Sequence, residues 1–198
     1  EREFGDLSGI ADAAHRSLKH NKIFQTYFKK RKIDEFIEEG NLGYIGGWCL
    51  FPVYSSSKTI VDIVVRSSSR KNDTRYVVHP SSNSHPYLYC PSWEEVLKNQ
   101  TIYCTFGIVD SISLHLAGLP VVTGITGKSL NADLLRPLNK RFIIIPDQNE
   151  ETEARILANK LGWRCSVRKL NYDELECKDP DEIRRKFRNQ ILLQSIGA

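Results

Sequence analysis

The sequence contains no methionine, not even at residue 1, and so reads as a piece cut from a longer chain. It has no long hydrophobic run. Runs such as Phe142–Pro146 fall far short of the ~20 apolar residues that a membrane-spanning helix needs. That argues against a membrane partner. No charged-then-apolar leader opens the sequence. Cysteine is scarce and odd in number: Cys49, Cys90, Cys104, Cys165 and Cys177, with no C-x-x-C pair. A zinc ribbon or a disulfide framework is thereby disfavoured, and a reducing, cytoplasmic setting fits best. Acidic residues are missing altogether from Ala13 to Ile33, where Arg16, Lys19, Lys22, Lys29, Lys30, Arg31 and Lys32 accumulate.

What is present suits a globular chain. With 198 residues, 40% of them hydrophobic and 26% charged, the sequence is long enough for one large domain or two small ones sharing an interface. A second basic cluster holds Arg66, Arg70, Lys71 and Arg75. Cations concentrated in this way neutralise phosphates and release counterions, which gives sequence-independent nucleic-acid binding. The competing reading is a solvated, solubilising helix face.

The periodicity changes near residue 100. Before it, Ala14, Leu18, Phe24, Tyr27 and Phe28 fall at helical spacing over about 7–31, and a short helix over 33–39 stops at Gly40. Strands are predicted at 48–53, 59–66 and 75–79, separated by serine-rich turns. The proline-bearing stretch 80–91 reads as an irregular connection, and 93–98 as a short helix. After residue 100, strands near 101–105, 121–125, 142–145 and 164–169 alternate with helices near 110–118, 131–139, 150–161 and 180–192. The run Phe142-Ile143-Ile144-Ile145 is apolar on both faces, as a central parallel strand must be. The expectation is a small mixed α/β (α+β) subdomain over 1–100, followed by an α/β domain over 101–198 with a parallel four-stranded sheet and flanking helices.

Acidic residues collect where these strands end. Asp110 follows Gly107; Asp147-Gln148-Asn149 precedes Glu150 and Glu151; Asp179-Pro180-Asp181 opens the last helix. In a parallel sheet these loops share one edge, so the carboxylates can converge. Converging carboxylates repel unless a cation offsets them, and Mg²⁺ or Mn²⁺ is the natural partner of an oxygen-only set. Each has a plainer alternative. Asp110 can cap the helix that starts beside it. Asp179 fits a cap well, with Pro180 next and Glu182 three residues on. Asp147, which follows a buried strand and precedes a polar Gln-Asn pair, fits a plainer role less well, and a site role is favoured. Gly124 and Gly127, with Lys128, form a turn where backbone N–H groups can approach a phosphate.

In this order the motifs resemble the catalytic core of bacterial-type DNA primases, over nearly the whole chain. YFKKRKIDEFIEEGNLGYIGGWCLFPVYSSSKTIVDIVVRSSSR and RYVVHPSS resemble the amino-terminal basic subdomain. FGIVDSISLHLAGL, IIIPDQN and KDPDEIRRK resemble the three acidic motifs of the TOPRIM domain. The resemblance implies a TOPRIM-type sheet and RNA primer synthesis on a single-stranded DNA template. It also implies a divalent metal held by the carboxylates, nucleoside triphosphates as substrates and a replicative helicase as partner. Matched residue by residue, Asp110, Asp147 and Asn149 take catalytic places, and Asp147, Asp179 and Asp181 metal-binding ones, with Glu150 available for recruitment. Lys29, Lys30, Arg31, Arg66, Arg70, Lys71, Arg75 and Lys128 become candidates for nucleic-acid contact.

Two departures touch the chemistry. The motif glutamate is Phe106, which can neither bind a metal nor move a proton, and the second aspartate of the middle motif is Asn149. The chain also carries no zinc ligands, although the family usually places a zinc module in front of this core. Three readings stay open: a single-strand-binding replication protein with weak or lost primer synthesis, an active primase with a rebuilt metal site, and a non-catalytic interaction module.

Overall fold

The computed structural model describes residues 7–67, 76–78, 87–126 and 129–197. The chain divides into two compact units, Glu1–Tyr87 and Leu88–Ala198.

The first unit pairs helices with an antiparallel sheet. Helix α1 spans Leu7–Lys19 and α2 spans Lys22–Lys30. The single helix expected over 7–31 is therefore two, because the side chain of Asn21 accepts from the Phe24 N–H and starts a new helix. Over 33–39 the chain forms only a 3₁₀ turn, Asp34–Phe36. Strands β1 (Gly43–Ile45), β2 (Trp48–Tyr54), β3 (Ile60–Ser67) and β4 (Tyr76–Val78) follow in the order β1-β2-β3-β4, all antiparallel. Strand β1 escaped the sequence reading, which placed no strand before Trp48. Ala11 and Ala14 of α1 pack with Leu50 and Ile63. A Cβ on Gly43 would lie 2.7 Å from that of Ala14, so only glycine admits the helix this close to β1.

The second unit is built on a five-stranded sheet. Its elements are β5 (Leu88–Tyr89), α3 (Trp93–Lys98), β6 (Thr101–Thr105), α4 (Ile108–Leu116), β7 (Val121–Gly124), α5 (Ala132–Leu135), β8 (Arg141–Ile144), α6 (Glu151–Leu161), β9 (Cys165–Val167) and α7 (Pro180–Ile196). The strand order is β5-β7-β6-β8-β9. The four strands foreseen from the sequence, β6 to β9, are parallel. The fifth, β5, is an antiparallel edge strand beside β7, inside the stretch expected to be irregular.

The division falls at Tyr87/Leu88 and not near residue 100. Leu88, Cys90 and Val96 belong to the core of the second unit, with Ile102, Cys104, Val122, Phe142 and Ile144. A second cluster on that unit gathers Leu114, Val121, Ile145, Ile183, Leu192 and Ile196, seating α4 and α7 together. All five cysteines are free thiols. Among the described residues, no helix is long and apolar enough to cross a membrane.

Candidate functional site

The carboxyl ends of β6 and β8 carry the loops that start α4 and α6, and the start of α7 comes to the same place. Gly107 is the first residue outside α4, in extended backbone, and offers no side-chain cap. Asp110, in the first turn, is buried at 8% exposure. A Cβ on Gly107 would collide with Asp110 Oδ2, so this glycine makes room for the carboxylate. Oδ1 of Asp110 accepts the backbone N–H of Asp181 at 3.2 Å. Asp110 thus ties α4 to the first turn of α7.

Asp181 is itself enclosed, with its side chain 1% exposed. Oδ1 accepts from the Ser113 hydroxyl at 3.0 Å, and Oδ2 pairs with Arg185 Nε at 2.9 Å. Asp179 caps α7: its Oδ1 accepts the Glu182 N–H at 2.7 Å, Pro180 takes the first helical position, and Glu182 accepts the Lys178 N–H at 3.1 Å. The capping alternative read from the sequence is realised in this geometry.

Asp147 follows β8, where Tyr172 donates its hydroxyl to the Pro146 carbonyl at 2.6 Å. Oδ1 of Asp147 and Oε2 of Glu150 are both buried with no hydrogen-bond partner. Burial pushes the Asp147 carboxyl from 3.8 up to about 8; the charges of Glu150 and Asp179 add to it, Lys178 opposes, and Asp181 adds further. Burial likewise raises Asp110 well above the carboxylate range, with Asp147, Asp179 and Asp181 repelling its charge. Glu150 is raised too, chiefly by burial. Asp110, Asp147, Glu150, Asp179 and Asp181 are therefore one electrostatic cluster. Asn149 is exposed on the turn before α6.

The donors do not fit a resident divalent cation as they stand. Asp110 holds an N–H, Asp179 caps a helix, and Asp181 already has Ser113 and the guanidinium of Arg185. Among the described residues, no group of three or more histidine, cysteine or carboxylate side chains is arranged to hold a metal. The buried oxygens Oδ1 of Asp147 and Oε2 of Glu150 are the atoms of this set left without a hydrogen-bond partner. Phe106 is 7% exposed and packs into the apolar core around Cys104 and Leu130, so no carboxylate stands in the place next to Gly107. Arg185 was missed in the sequence, although its i,i+4 spacing from Asp181 is the signal that finds such a pair.

Of the basic candidates, Lys29 and Lys30 are exposed in the last turn of α2, with no carboxylate partner among the described residues. Arg31 follows with its guanidinium 6.0 Å from the Tyr27 ring centroid. Arg66 sits on β3 opposite Cys49. Arg70, Lys71, Arg75 and Lys128 lie outside the described residues, as does Gly127 of the expected phosphate turn.

The sequence matches no protein-family model and no curated protein. Solved structures do match. The RNA polymerase domain of Mycobacterium tuberculosis primase DnaG, in complex with a double-stranded DNA oligomer with a 6-nucleotide overhang, superposes with a TM-score of 0.80 at 15% identity, over 96% of this chain and 78% of that one. This chain has the fold of the bacterial primase catalytic core. The Aquifex aeolicus primase, comprising zinc-binding and RNA polymerase domains, gives 0.75 at 17% identity over 97% of this chain and 59% of that one. The DnaG primase catalytic domain bound to ssDNA gives 0.72 at 14% identity, over 96% and 76%. In the primase fold the acidic cluster just described occupies the carboxyl edge of the parallel sheet.

Proposed function

We propose that this chain is a primase-fold protein that binds single-stranded DNA during replication and whose primer-synthesis activity is weak or lost. The observation that carries the reading is the state of the acidic cluster. Its position at the carboxyl edge is that of a reaction centre. Its carboxylates nevertheless serve as protein links: Asp110 to the Asp181 N–H, Asp181 to Ser113 and Arg185. Phe106, which the sequence resemblance sets at the motif glutamate, packs in the apolar core. A phosphoryl transfer depends on charge-stabilising groups aimed at the developing negative charge; here the guanidinium of Arg185 is held by Asp181.

Lys29, Lys30, Arg31 and Arg66 supply sequence-independent attraction to the DNA backbone, and Arg70, Lys71, Arg75 and Lys128 are candidates for the same role. This reading is supported by the DNA carried by two of the similar solved structures. Nucleoside triphosphates and a replicative helicase remain the partners expected for such a core in a cytoplasmic replisome, and Mg²⁺ or Mn²⁺ the ion expected of an active relative. A second reading, an active primase rebuilt around Asp147 and Glu150, is favoured by one observation, the orphaned oxygens of that pair. Titration of a labelled single-stranded oligonucleotide across a salt series tests the first reading. Binding whose logarithm falls linearly with log salt is expected; no binding at low salt refutes it.

A further inference from the structure

A hollow of about 310 Å³ opens at the amino ends of β8 and β9, the opposite edge of the parallel sheet from the acidic cluster. Arg136, Lys140, Phe142, Leu161, Trp163 and Arg164 line it, and no carboxylate does. Trp163 is 83% exposed, an unusual position for the largest apolar side chain. The Arg164 guanidinium lies 5.3 Å from its ring centroid, and Nη1 donates to Asn139 Oδ1 at 2.6 Å, which fixes the fork in place. Lys140 Nζ donates to the Leu97 carbonyl at 2.9 Å. Among the described residues, neither Lys140 nor Arg164 has a carboxylate partner, whereas Arg136 is satisfied by Asp133.

The lining selects the kind of ligand. A peptide anchored by an apolar side chain needs a deep, fully desolvated apolar pocket. Here Phe142 is 2% exposed and Leu161 half-buried, so the indole is the one broad apolar surface on offer. A nucleobase needs only an open aromatic face, and its phosphate needs nearby cations without competing carboxylates. We propose that this hollow binds a nucleotide unit, the base stacked on Trp163 and the phosphate held by Lys140 and Arg164. The unit is supplied by a nucleic-acid strand or by a free nucleotide. The site is remote from the acidic cluster and its occupancy does not depend on primer synthesis.

The three tryptophan indole N–H signals of the full chain, with that of Trp163 assigned by Trp163→Phe, give a site-specific readout in a ¹H–¹⁵N spectrum. Oligothymidylate and thymidine monophosphate are titrated separately. A shift of the Trp163 signal with saturable dependence on either is expected, and which of the two binds more tightly identifies the source. Lys140→Glu with Arg164→Glu should weaken that dependence at least tenfold. The Trp48 and Trp93 signals, left in place by this variant, report that the fold is intact. No shift of the Trp163 signal up to about 1 mM of either ligand, the weak end of association, overturns the proposal. So does a shift untouched by the double charge reversal, or one given by polyglutamate and by neither nucleotide probe.

Discussion

The carboxylate of Asp110 accepts the backbone N–H of Asp181 at 3.2 Å, across 71 positions of sequence. One aspartate of an apparent metal set thus holds the backbone of another, and the start of α7 is fastened to the first turn of α4. Gly107 leaves the space for this. We predict that Gly107→Ala costs about 1–3 kcal/mol by displacing the Asp110 carboxylate. In an Asp110→Ala background the same change should cost much less. A double-mutant cycle in urea measures the difference; strict additivity contradicts the link.

Arg185 is the counter-ion of an enclosed carboxylate. Removing one partner of a buried pair strands the other. Arg185 is 28% exposed and Ser113 keeps its bond to Asp181, so Arg185→Ala should cost about 2–3 kcal/mol, below the figure for a fully buried pair. Replacing both Asp181 and Arg185 by neutral residues should recover part of that loss. Chemical denaturation of the two variants decides it.

The raised carboxyl of Asp147 makes a specific pH signature. Unfolded, it loses its proton near 4; folded, it keeps it until about 8. The folded state therefore binds the extra proton between those values, and this group's contribution to stability falls as pH rises through that window. Asp147→Asn should match the parent near pH 4 and exceed its stability by about 1–3 kcal/mol at pH 8–9. Unfolding midpoints across pH 4–9 test this. Equal pH profiles for the two proteins contradict it.

Lys29 and Lys30 stand exposed at the end of α2. Reversing both to glutamate should weaken single-strand binding at low salt and flatten the slope of log K against log salt by about 1.4, two phosphates' worth for a single strand. Thermal stability should stay within about 0.5 kcal/mol, since both side chains are solvated.

The sequence revealed most where a segment's own pattern decides its place. Phe142 to Ile145 could only be a buried strand, and Asp179-Pro180 with Glu182 announced the cap of α7 in advance. It failed where structure depends on context. Strand β5 is two residues, Leu88 and Tyr89, lying among prolines, and only pairing with Thr123 and Gly124 makes it a strand. The break at Asn21 hides inside a continuous helical periodicity. The convergence of Asp110, Asp147, Asp179 and Asp181 was legible from the strand–loop alternation. The use of Asp110 and Asp181 as hydrogen-bond acceptors within the protein was not, because Ser113 meets Asp181 only after α4 and α7 dock.

Template-directed primer synthesis tests the account most directly. A single-stranded template, ribonucleoside triphosphates and Mn²⁺ are supplied at salt low enough for full DNA binding. The parent chain should bind the template and yield little or no product, and Phe106→Glu, wherever it remains folded, should raise the yield. Robust synthesis by the parent that Asp147→Ala abolishes would contradict the account and establish a working, rebuilt centre.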